Sequence, residues 1–245
     1  MSQAQQTELT RETNVGALAA EPARVDLYRL PHRGLRAAMA HALVNAGTAA
    51  TDRQSLDVVA NEVEALALMC KKHLEHENAF VHPAMEQRTP GSSRNTADDH
   101  IGHERAIDRL NGLVGQLRAH PAQKPARELL DQLYRTLALF VADNLEHMDL
   151  EERHNMRVLQ AVYTDAELSS LERELVASIA PDVMLMFMRW MLPAMSADER
   201  GEFLAQMALG APPVVILAVI DAAGPHLPRG EPERLLRQFA APSAL

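Results

Sequence analysis

The chain has 245 residues, of which 47% are hydrophobic and 23% are charged, and this globular composition excludes collagen-like, coiled-coil and wholly disordered chains. The formal net charge of −9 disfavours general binding to nucleic acid or to an anionic membrane. The single cysteine, Cys70, excludes a disulfide framework, an iron–sulfur cluster and a Cys-rich zinc site within one chain.

The first residues, 1–24, form a polar segment without the apolar core of a secretory signal, and we predict that they form a tail. The most apolar stretches, 184–195 and 211–220, are shorter than the roughly 20 apolar residues of a membrane span, so we expect buried helices there. With no targeting signal and no disulfide pair, the sequence predicts a cytoplasmic, soluble protein with no nucleic-acid partner and no membrane partner.

Apolar residues recur at steps of three and four through residues 25–163, which predicts four amphipathic helices. These helices are expected at about residues 25–46, 52–83, 97–119 and 125–158. Thr51 is predicted to cap the second helix, and Pro83 is predicted to end it. Pro125 favours the start of the fourth helix because proline is preferred in a first helical turn.

The remaining residues, 164–245, continue the helical pattern in shorter segments. Two capping-box pairs, Thr164 with Glu167 and Ser196 with Glu199, predict two helix starts. Helices are expected at about residues 165–180, 197–207, 212–223 and 231–239. No stretch alternates as a strand does, so the predicted fold class is all-α, with a four-helix segment over 25–163 and a C-terminal helical extension over 164–245.

Six polar side chains share the apolar faces of the four longer helices. They are His32, His73, Glu77, His103, His147 and Glu151. The second and fourth helices each carry a His and a Glu four residues apart, in the motifs HLEHE and HMDLE, and positions four apart share a helix face. The pattern of one His followed by His-x-x-x-Glu occurs twice, which suggests duplication of a helix pair around one shared centre.

Carboxylates are costly to bury without a partner, and a bound metal would remove that cost. Imidazole and carboxylate ligands with few thiols suit iron, manganese or zinc. Six ligands from four helices are enough for two metal ions, with the two glutamates able to bridge them. The sequence therefore predicts a metal site in the core of the four-helix segment.

Two further His-x-x-x-Glu pairs occur, His82 with Glu86 and His100 with Glu104. Helical phase places His82 on the solvent face, about 180° from the predicted ligand of its helix. His100 lies at the edge of the third helix's apolar face, where it would be a group behind the ligands or a fifth histidine ligand. His154 lies one turn beyond the predicted ligands of the fourth helix, and we expect it to be partly exposed.

With these residues, the segment 25–163 resembles the hemerythrin-like family, also called the HHE cation-binding domain. The resemblance is carried by the stretches LPHRGL, HLEHENAFVHPAM, HIGHERAIDRL and LEHMDLEE. It implies an up-down four-helix bundle around a non-haem di-iron centre, that is, two iron ions as the cofactor.

The oxygen carriers of that family have His-x-x-x-His on the third helix and His-x-x-x-x-Asp on the fourth. Glu152 stands at the spacing of that Asp, but its helical phase predicts that it faces away from the site. The set of four histidines and two glutamates resembles more closely the bacterial branch that repairs iron centres and reduces nitric oxide. Members of that branch usually add a Cys-bearing N-terminal domain, whereas residues 1–24 contain no cysteine.

The first functional hypothesis is a non-haem di-iron protein that binds or reacts with a small diatomic ligand or peroxide, such as dioxygen, nitric oxide or hydrogen peroxide. One alternative is an interaction or regulatory module in which the metal is structural, and another is a di-iron oxidase or peroxide-removing enzyme. The extension over 164–245 is expected to pack on its own bundle and to make some contact with a second copy in a homodimer.

Overall fold

The computed structural model describes residues 24–121 and 126–239, and every structural statement below refers to these residues. They are predominantly helical and contain no strand, which confirms the all-α prediction. The expected tail over 1–24 lies outside the described residues except for Arg24, and so does Pro125.

The helices follow one another with short connections. They are α1 (Arg29–Thr48), α2 (Arg53–His76), α3 (His82–Arg88), α4 (Arg94–Ala119), α5 (Arg127–Leu150), α6 (Met156–Val162), α7 (Asp165–Ser178), α8 (Pro181–Met191), α9 (Ala197–Ala208), α10 (Pro213–Ala223) and α11 (Glu231–Phe239). The first π turn (Glu77–Val81) joins α2 to α3, and the second π turn (Glu151–Asn155) joins α5 to α6.

The four long helices α1, α2, α4 and α5 form a closed ring of contacts. Helix α1 packs against α2 and α5, and α4 packs against the same two helices. The predicted apolar faces meet in the middle, where Leu35, Val63, Leu110 and Leu137 are all fully buried. The first turn of α1 lies beside the last turn of α2, because only four residues connect these two helices.

The backbone remains helical through Pro83, so the predicted end of the second helix at that residue was wrong. Pro83 follows the first π turn and lies in the first turn of α3, where the missing N–H of proline leaves no helical hydrogen bond unmade. The cap of α2 is also one residue away from the prediction. Asp52, not Thr51, accepts a hydrogen bond from the backbone N–H of Ser55.

The first π turn also changes which residues face the core. A π turn contains about one residue more than an α-helical turn, so the residues after it are rotated by roughly 100° relative to an uninterrupted helix. His82 was predicted on the solvent face, but it is buried. Its ring stacks on His100 with centroids 4.8 Å apart, and its Nε2 lies 3.3 Å from the hydroxyl of Thr96.

The extension is built on the surface of the four long helices. Both predicted capping boxes are present at the starts of α7 and α9. Helix α8 packs against α1 and α2, and α10 packs against α8. Gly34 of α1 makes the approach of α8 possible, because a Cβ at this position would lie 2.8 Å from Cγ of Met191 and 3.1 Å from its backbone nitrogen.

Helix α7 packs elsewhere, over the end of the bundle that contains both π turns. Its Leu168 is fully buried in a second apolar cluster with Tyr28, Met85, Met156 and Leu159. Among the described helices, none combines the length and the apolar composition needed to cross a membrane.

Candidate metal centre

The two predicted His-x-x-x-Glu pairs lie side by side where α2 and α5 pass into their π turns. His73 is in the last turn of α2, and Glu77 begins the first π turn. His147 and Glu151 occupy the same positions in α5 and the second π turn. Both glutamates are buried at the centre of the bundle.

The first half of the centre pairs His73 with His32 from the first turn of α1. Their Nε2 atoms are 3.0 Å apart. Oε1 of Glu77 lies 3.2 Å from Nε2 of His73, and Oε2 of Glu151 lies 3.5 Å from Nε2 of His32. These four side chains offer ligand atoms within 4.8 Å of one another and could hold a metal ion.

The second half repeats this arrangement with His147 and His100, the latter from the second turn of α4. Their Nε2 atoms are 3.1 Å apart. Oε2 of Glu77 lies 3.4 Å from Nε2 of His100, and Oε1 of Glu151 lies 3.3 Å from Nε2 of His147. This second group also converges within 4.8 Å.

The two halves therefore share both glutamates, and each glutamate directs one oxygen to each histidine pair. All four carboxylate oxygens of Glu77 and Glu151 are buried, and none has a hydrogen-bond partner within the described residues. Buried polar atoms in proteins are almost always paired, and unpaired carboxylates are especially costly. The unpartnered oxygens fit a cation between the side chains.

The electrostatics of the cluster lead to the same conclusion. Burial by itself would raise the pKa of Glu77, but the facing imidazoles of His73, His100 and His32 hold it well below the usual range. Burial lowers the pKa of His73 to about 4. The pKa of His32 rises to about 9, because the attraction of Glu152, Glu77 and Glu151 outweighs the cost of burial. The two carboxylates are thus held in the charged form by the positive charge of the neighbouring imidazoles, and a metal cation bound there would take the place of that charge.

Groups behind three of the histidines fix their orientation. Nδ1 of His32 lies 3.0 Å from Oε1 of Glu152, which also accepts a hydrogen bond from Arg36. Nδ1 of His100 lies 2.8 Å from Oδ1 of Asn78. Nδ1 of His147 lies 3.4 Å from Asp99. Such partners fix which nitrogen of an imidazole is free to bind a metal.

The position of Glu152 corrects the expectation that this residue faces away from the site. Its side chain starts on the flank of the second π turn, and its length lets the carboxylate reach the outer nitrogen of His32. The pKa of Glu152 falls to about 2, because the neighbouring His32 and Arg36 outweigh the effect of partial burial.

A buried polar layer separates the centre from α7. The side-chain amide of Asn155 donates to the hydroxyl of Tyr28 and lies 3.4 Å from the hydroxyl of Thr96. Burial and the nearby carboxylates raise the pKa of Tyr28 well above its usual value. This phenol therefore stays protonated at neutral pH, 4.9 Å from the ring of His32.

The structure brings together five of the six residues predicted as ligands and places the sixth, His103, outside the two converging groups. Nε2 of His103 lies 3.1 Å from Asp143, and its ring makes an edge contact with His147 at 4.6 Å. His100 lies three residues, or about 4.5 Å of helix axis, closer to the glutamates. Both histidines, three residues apart, were visible in the sequence. Helical phase predicts which face of α4 a residue lies on, but not the position of α4 along the bundle axis relative to the π turns.

Two other residues singled out in the sequence lie away from the ligand atoms. His154 is exposed, and its Nε2 lies 3.2 Å from the backbone oxygen of Ser92. Cys70 is a buried free thiol one turn before His73, and burial raises its pKa to about 12. A thiol with that pKa is a poor nucleophile and a poor metal ligand at neutral pH.

The fold and the site together define a class: a helical protein whose core contains a cluster of four histidines and two glutamates that fits a metal. Comparison with known families agrees. The family model described as the Hemerythrin HHE cation binding domain matches residues 23–174, and the chain therefore belongs to that family. Neither the search of curated proteins nor the search of solved structures found a match.

Proposed function

We propose that the chain is a non-haem di-iron protein, with His32 and His73 on one iron ion and His100 and His147 on the other. Glu77 and Glu151 would bridge the two ions. The observation that carries this proposal is the sharing of both glutamates, with one unpartnered oxygen of each carboxylate facing each histidine pair.

Iron is favoured by the chemistry of the ligands. Imidazole and carboxylate suit iron, manganese and zinc, and no thiol lies among the ligand atoms that would select a softer ion. Three histidines have outer hydrogen-bond partners, which would raise ligand basicity and tune the redox properties of a bound ion.

The proposed activity is binding of, or reaction with, a small ligand such as dioxygen, nitric oxide or peroxide. Iron supplies the electrons and the open coordination positions for such a ligand, since six side chains do not saturate two ions. The two glutamates would hold the ions together, the four histidines would bind them from either side, and the buried position of these side chains would limit the access of bulk water. Phe187 of α8 covers the His73 side with its ring 6.5 Å from that imidazole, and Tyr28 covers the side of His32.

Metal analysis of the protein as isolated, together with its absorption spectrum, tests the proposal. We expect two iron ions per chain and near-ultraviolet absorption that changes when azide or nitric oxide is added. Replacing Glu77 or Glu151 with Ala should lower metal content and thermal stability together, because metal bound to the native state stabilises it. Metal-free protein from iron-replete cells, or unchanged metal content in both variants, would refute the bridging role.

The same preparation separates the alternative functions. Continuous consumption of peroxide or dioxygen would indicate an enzyme, whereas stoichiometric binding would indicate a carrier or sensor. A redox-inert ion in the same site would favour an interaction module with a structural metal.

We also propose that two copies pair through the extension. Leu209 and Val214, in and beside the loop between α9 and α10, are 80% and 70% exposed, and apolar side chains of that size favour contact with another surface. We expect the wild type to sediment as a dimer and the variant Leu209→Ser to sediment as a monomer. A monomeric wild-type chain would contradict it.

A further inference from the structure

The buried polar layer between the metal centre and α7 contains side chains that the proposed metal ligands do not use. Tyr28, Thr96 and Asn155 each stand four residues from one of the six side chains that converge at the centre. All three are at most 1% exposed. Residues four apart share a helix face, so the layer lies about one helical turn away from the converging side chains.

The hydrogen bonds within this layer can be assigned atom by atom. The Thr96 hydroxyl donates to the backbone oxygen of Ser93 at 3.0 Å, so it presents only lone pairs to the amide of Asn155, 3.4 Å away. The amide group that faces Thr96 must therefore be the donor Nδ2, which also donates to the Tyr28 oxygen at 3.0 Å. The hydrogen of the Tyr28 hydroxyl is left without an acceptor among the described residues.

The surroundings of Tyr28 direct this free hydrogen towards the metal centre. On the side of α7, its fully buried neighbours in the cluster of Leu168 are aliphatic and thioether side chains without an oxygen or nitrogen acceptor. On the other side, its ring lies 4.9 Å from that of His32, and the charges of Glu151 and Glu77 add to burial in raising the pKa of the phenol. Neither carboxylate accepts the hydrogen. A buried donor without an acceptor is costly, so we expect its acceptor to be bound at the centre.

We propose that Tyr28 is a ligand-binding residue, whose hydroxyl donates a hydrogen bond to a small anion bound at the metal centre. Asn155 holds the phenol in the orientation for this bond. The anion would have a nitrogen or oxygen acceptor atom, as azide and hydroperoxide do. The inference rests on the proposed function, because the anion needs the iron ions as its other partner. It narrows that function, since a hydrogen-bond donor favours a ligand with negative charge over a neutral one.

The azide affinity of the iron-loaded full chain tests the role of Tyr28. Tyr28→Phe removes only the hydroxyl and keeps the ring, so its iron content and its circular dichroism should equal those of wild type. Azide binding, followed by absorption, should weaken at least about tenfold, which is the effect of losing one hydrogen bond to a charged group.

Tyr163→Phe is the matched control. It removes the same group from a tyrosine at the same end of the bundle, but the hydroxyl of Tyr163 already donates to the backbone oxygen of Ala84 at 2.9 Å. This variant should bind azide as wild type does, even where its melting temperature is lower. An equal loss of azide affinity in Tyr28→Phe and Tyr163→Phe would indicate a general effect on stability and would overturn the proposal.

The infrared spectrum of bound azide gives a readout that a structural effect would not move. In wild type, the azide stretching band should shift when ordinary water is replaced by heavy water, because the exchangeable phenolic hydrogen takes part in the bond. In Tyr28→Phe the band should lie at a different frequency and show no such shift. A visible absorption band of wild type before azide is added, absent from Tyr28→Phe, would instead identify Tyr28 as a direct ligand of iron and refute the hydrogen-bonding role.

Failure of this inference is distinguishable from failure of the proposed function. Equal azide affinities and equal infrared bands in iron-loaded wild type and Tyr28→Phe would refute the role of Tyr28 and leave the metal centre intact. Loss of iron from Tyr28→Phe would also contradict it, because the hydroxyl would then act on the converging side chains and not on an entering anion. A wild-type chain that takes up no iron would refute the proposed function, and this inference with it.

Discussion

At the scale of single residues, the centre depends on how two glutamates are presented. Glu77 and Glu151 each begin a π turn, and each is buried with both oxygens unpartnered within the described part of the chain. Single π turns inside α-helices occur frequently at functional sites. The same two residues follow a histidine by four positions, which is the part of the site that helical spacing predicts from the sequence.

His100 and His103 provide a matched pair for testing the ligand set. Both are buried histidines of α4, but only the Nε2 of His100 faces the two glutamates. We expect His100→Ala to lose half or more of the bound metal after full loading, and His103→Ala to keep the wild-type content. Metal analysis with circular dichroism checks both the loss and the fold. Loss of metal in His103→Ala alone would restore His103 as the sixth ligand.

Glu86 provides a pH-dependent contribution to stability outside the metal centre. Its carboxylate accepts hydrogen bonds from the backbone N–H groups of Gly91 and Ser93 and from the Ser93 hydroxyl, at the start of α4. These bonds lower the pKa of Glu86 from 4.5 to about 2. A folded-state pKa below the unfolded value means that the stabilisation is complete above pH 4.5 and is lost as the pH falls towards 2.

Replacing Glu86 with Gln should therefore lower the melting temperature at pH 7, and the difference from wild type should shrink as the pH falls below 4.5. Circular dichroism melts of both proteins between pH 7 and pH 3 measure this difference, and loss of metal at acid pH affects both alike. Glu104→Gln, an exposed carboxylate of α4, is the control. If the difference in melting temperature between Glu86→Gln and wild type did not change with pH, the charge of Glu86 would not be the source of the stabilisation.

At the scale of helices, the sequence predicted well which face of each long helix is buried. It predicted less well which residues face the core after a π turn interrupts the α-helix. The apolar steps of three and four placed α1, α2, α4 and α5 correctly, because helical periodicity is a local property of the chain. The π turns are not visible in the pattern of hydrophobic residues. The prediction for His82 was wrong because it assumed about 100° per residue through the first π turn. The prediction for Glu152 failed for a different reason, since a long side chain can reach a group that its helix face does not point to.

The contact between α1 and α8 is sensitive to a single methyl group. A Cβ at Gly34 would lie 3.1–3.2 Å from backbone atoms of Met191, which cannot move without shifting α8. We expect Gly34→Ala to destabilise the protein by about 1–3 kcal/mol, as overpacking of a core does. Denaturant unfolding measures this change.

Gly112→Ala is the control for that experiment. Gly112 lies in the middle of α4, and a Cβ there would meet no atom of the described residues within 4 Å. Alanine at this position should stabilise the protein by about 0.5–1 kcal/mol, because it lowers the entropy cost of forming the helix. If the two substitutions had the same effect, the close approach of α8 to α1 would not be important for stability.

At the scale of the whole molecule, the extension and the bundle share one core. Phe187, Met188, Met191 and Leu192 are buried in the same apolar cluster as the residues of the four long helices. Burying one such side chain contributes about 1.5–3 kcal/mol. A whole domain is stable by only about 5–15 kcal/mol once the entropy cost of folding is subtracted, so loss of these contacts should lower the free energy of unfolding measurably.

A chain that ends at Ser178 keeps α7 and removes α8 with everything after it. It should expose the faces of α1 and α2 that α8 covers, bind the dye ANS, aggregate or change its oligomeric state, and lose the cover that Phe187 provides over His73. Sedimentation, thermal melting and iron content measure these effects. Leu139→Ser in the full chain is a control, because it changes an apolar side chain of α5 that is already exposed.

The opposite outcome is equally informative about how the molecule is assembled. The chain ending at Ser178 could instead stay monomeric, with the same melting temperature and the same iron content as the full protein. This result would mean that α1 and α2 do not need α8 to bury their outer faces. Residues 181–239 would then be a separate module whose stability comes from the packing of α8, α9, α10 and α11 on one another. In that case the exposed Leu209 and Val214 would become the first positions at which to look for a partner.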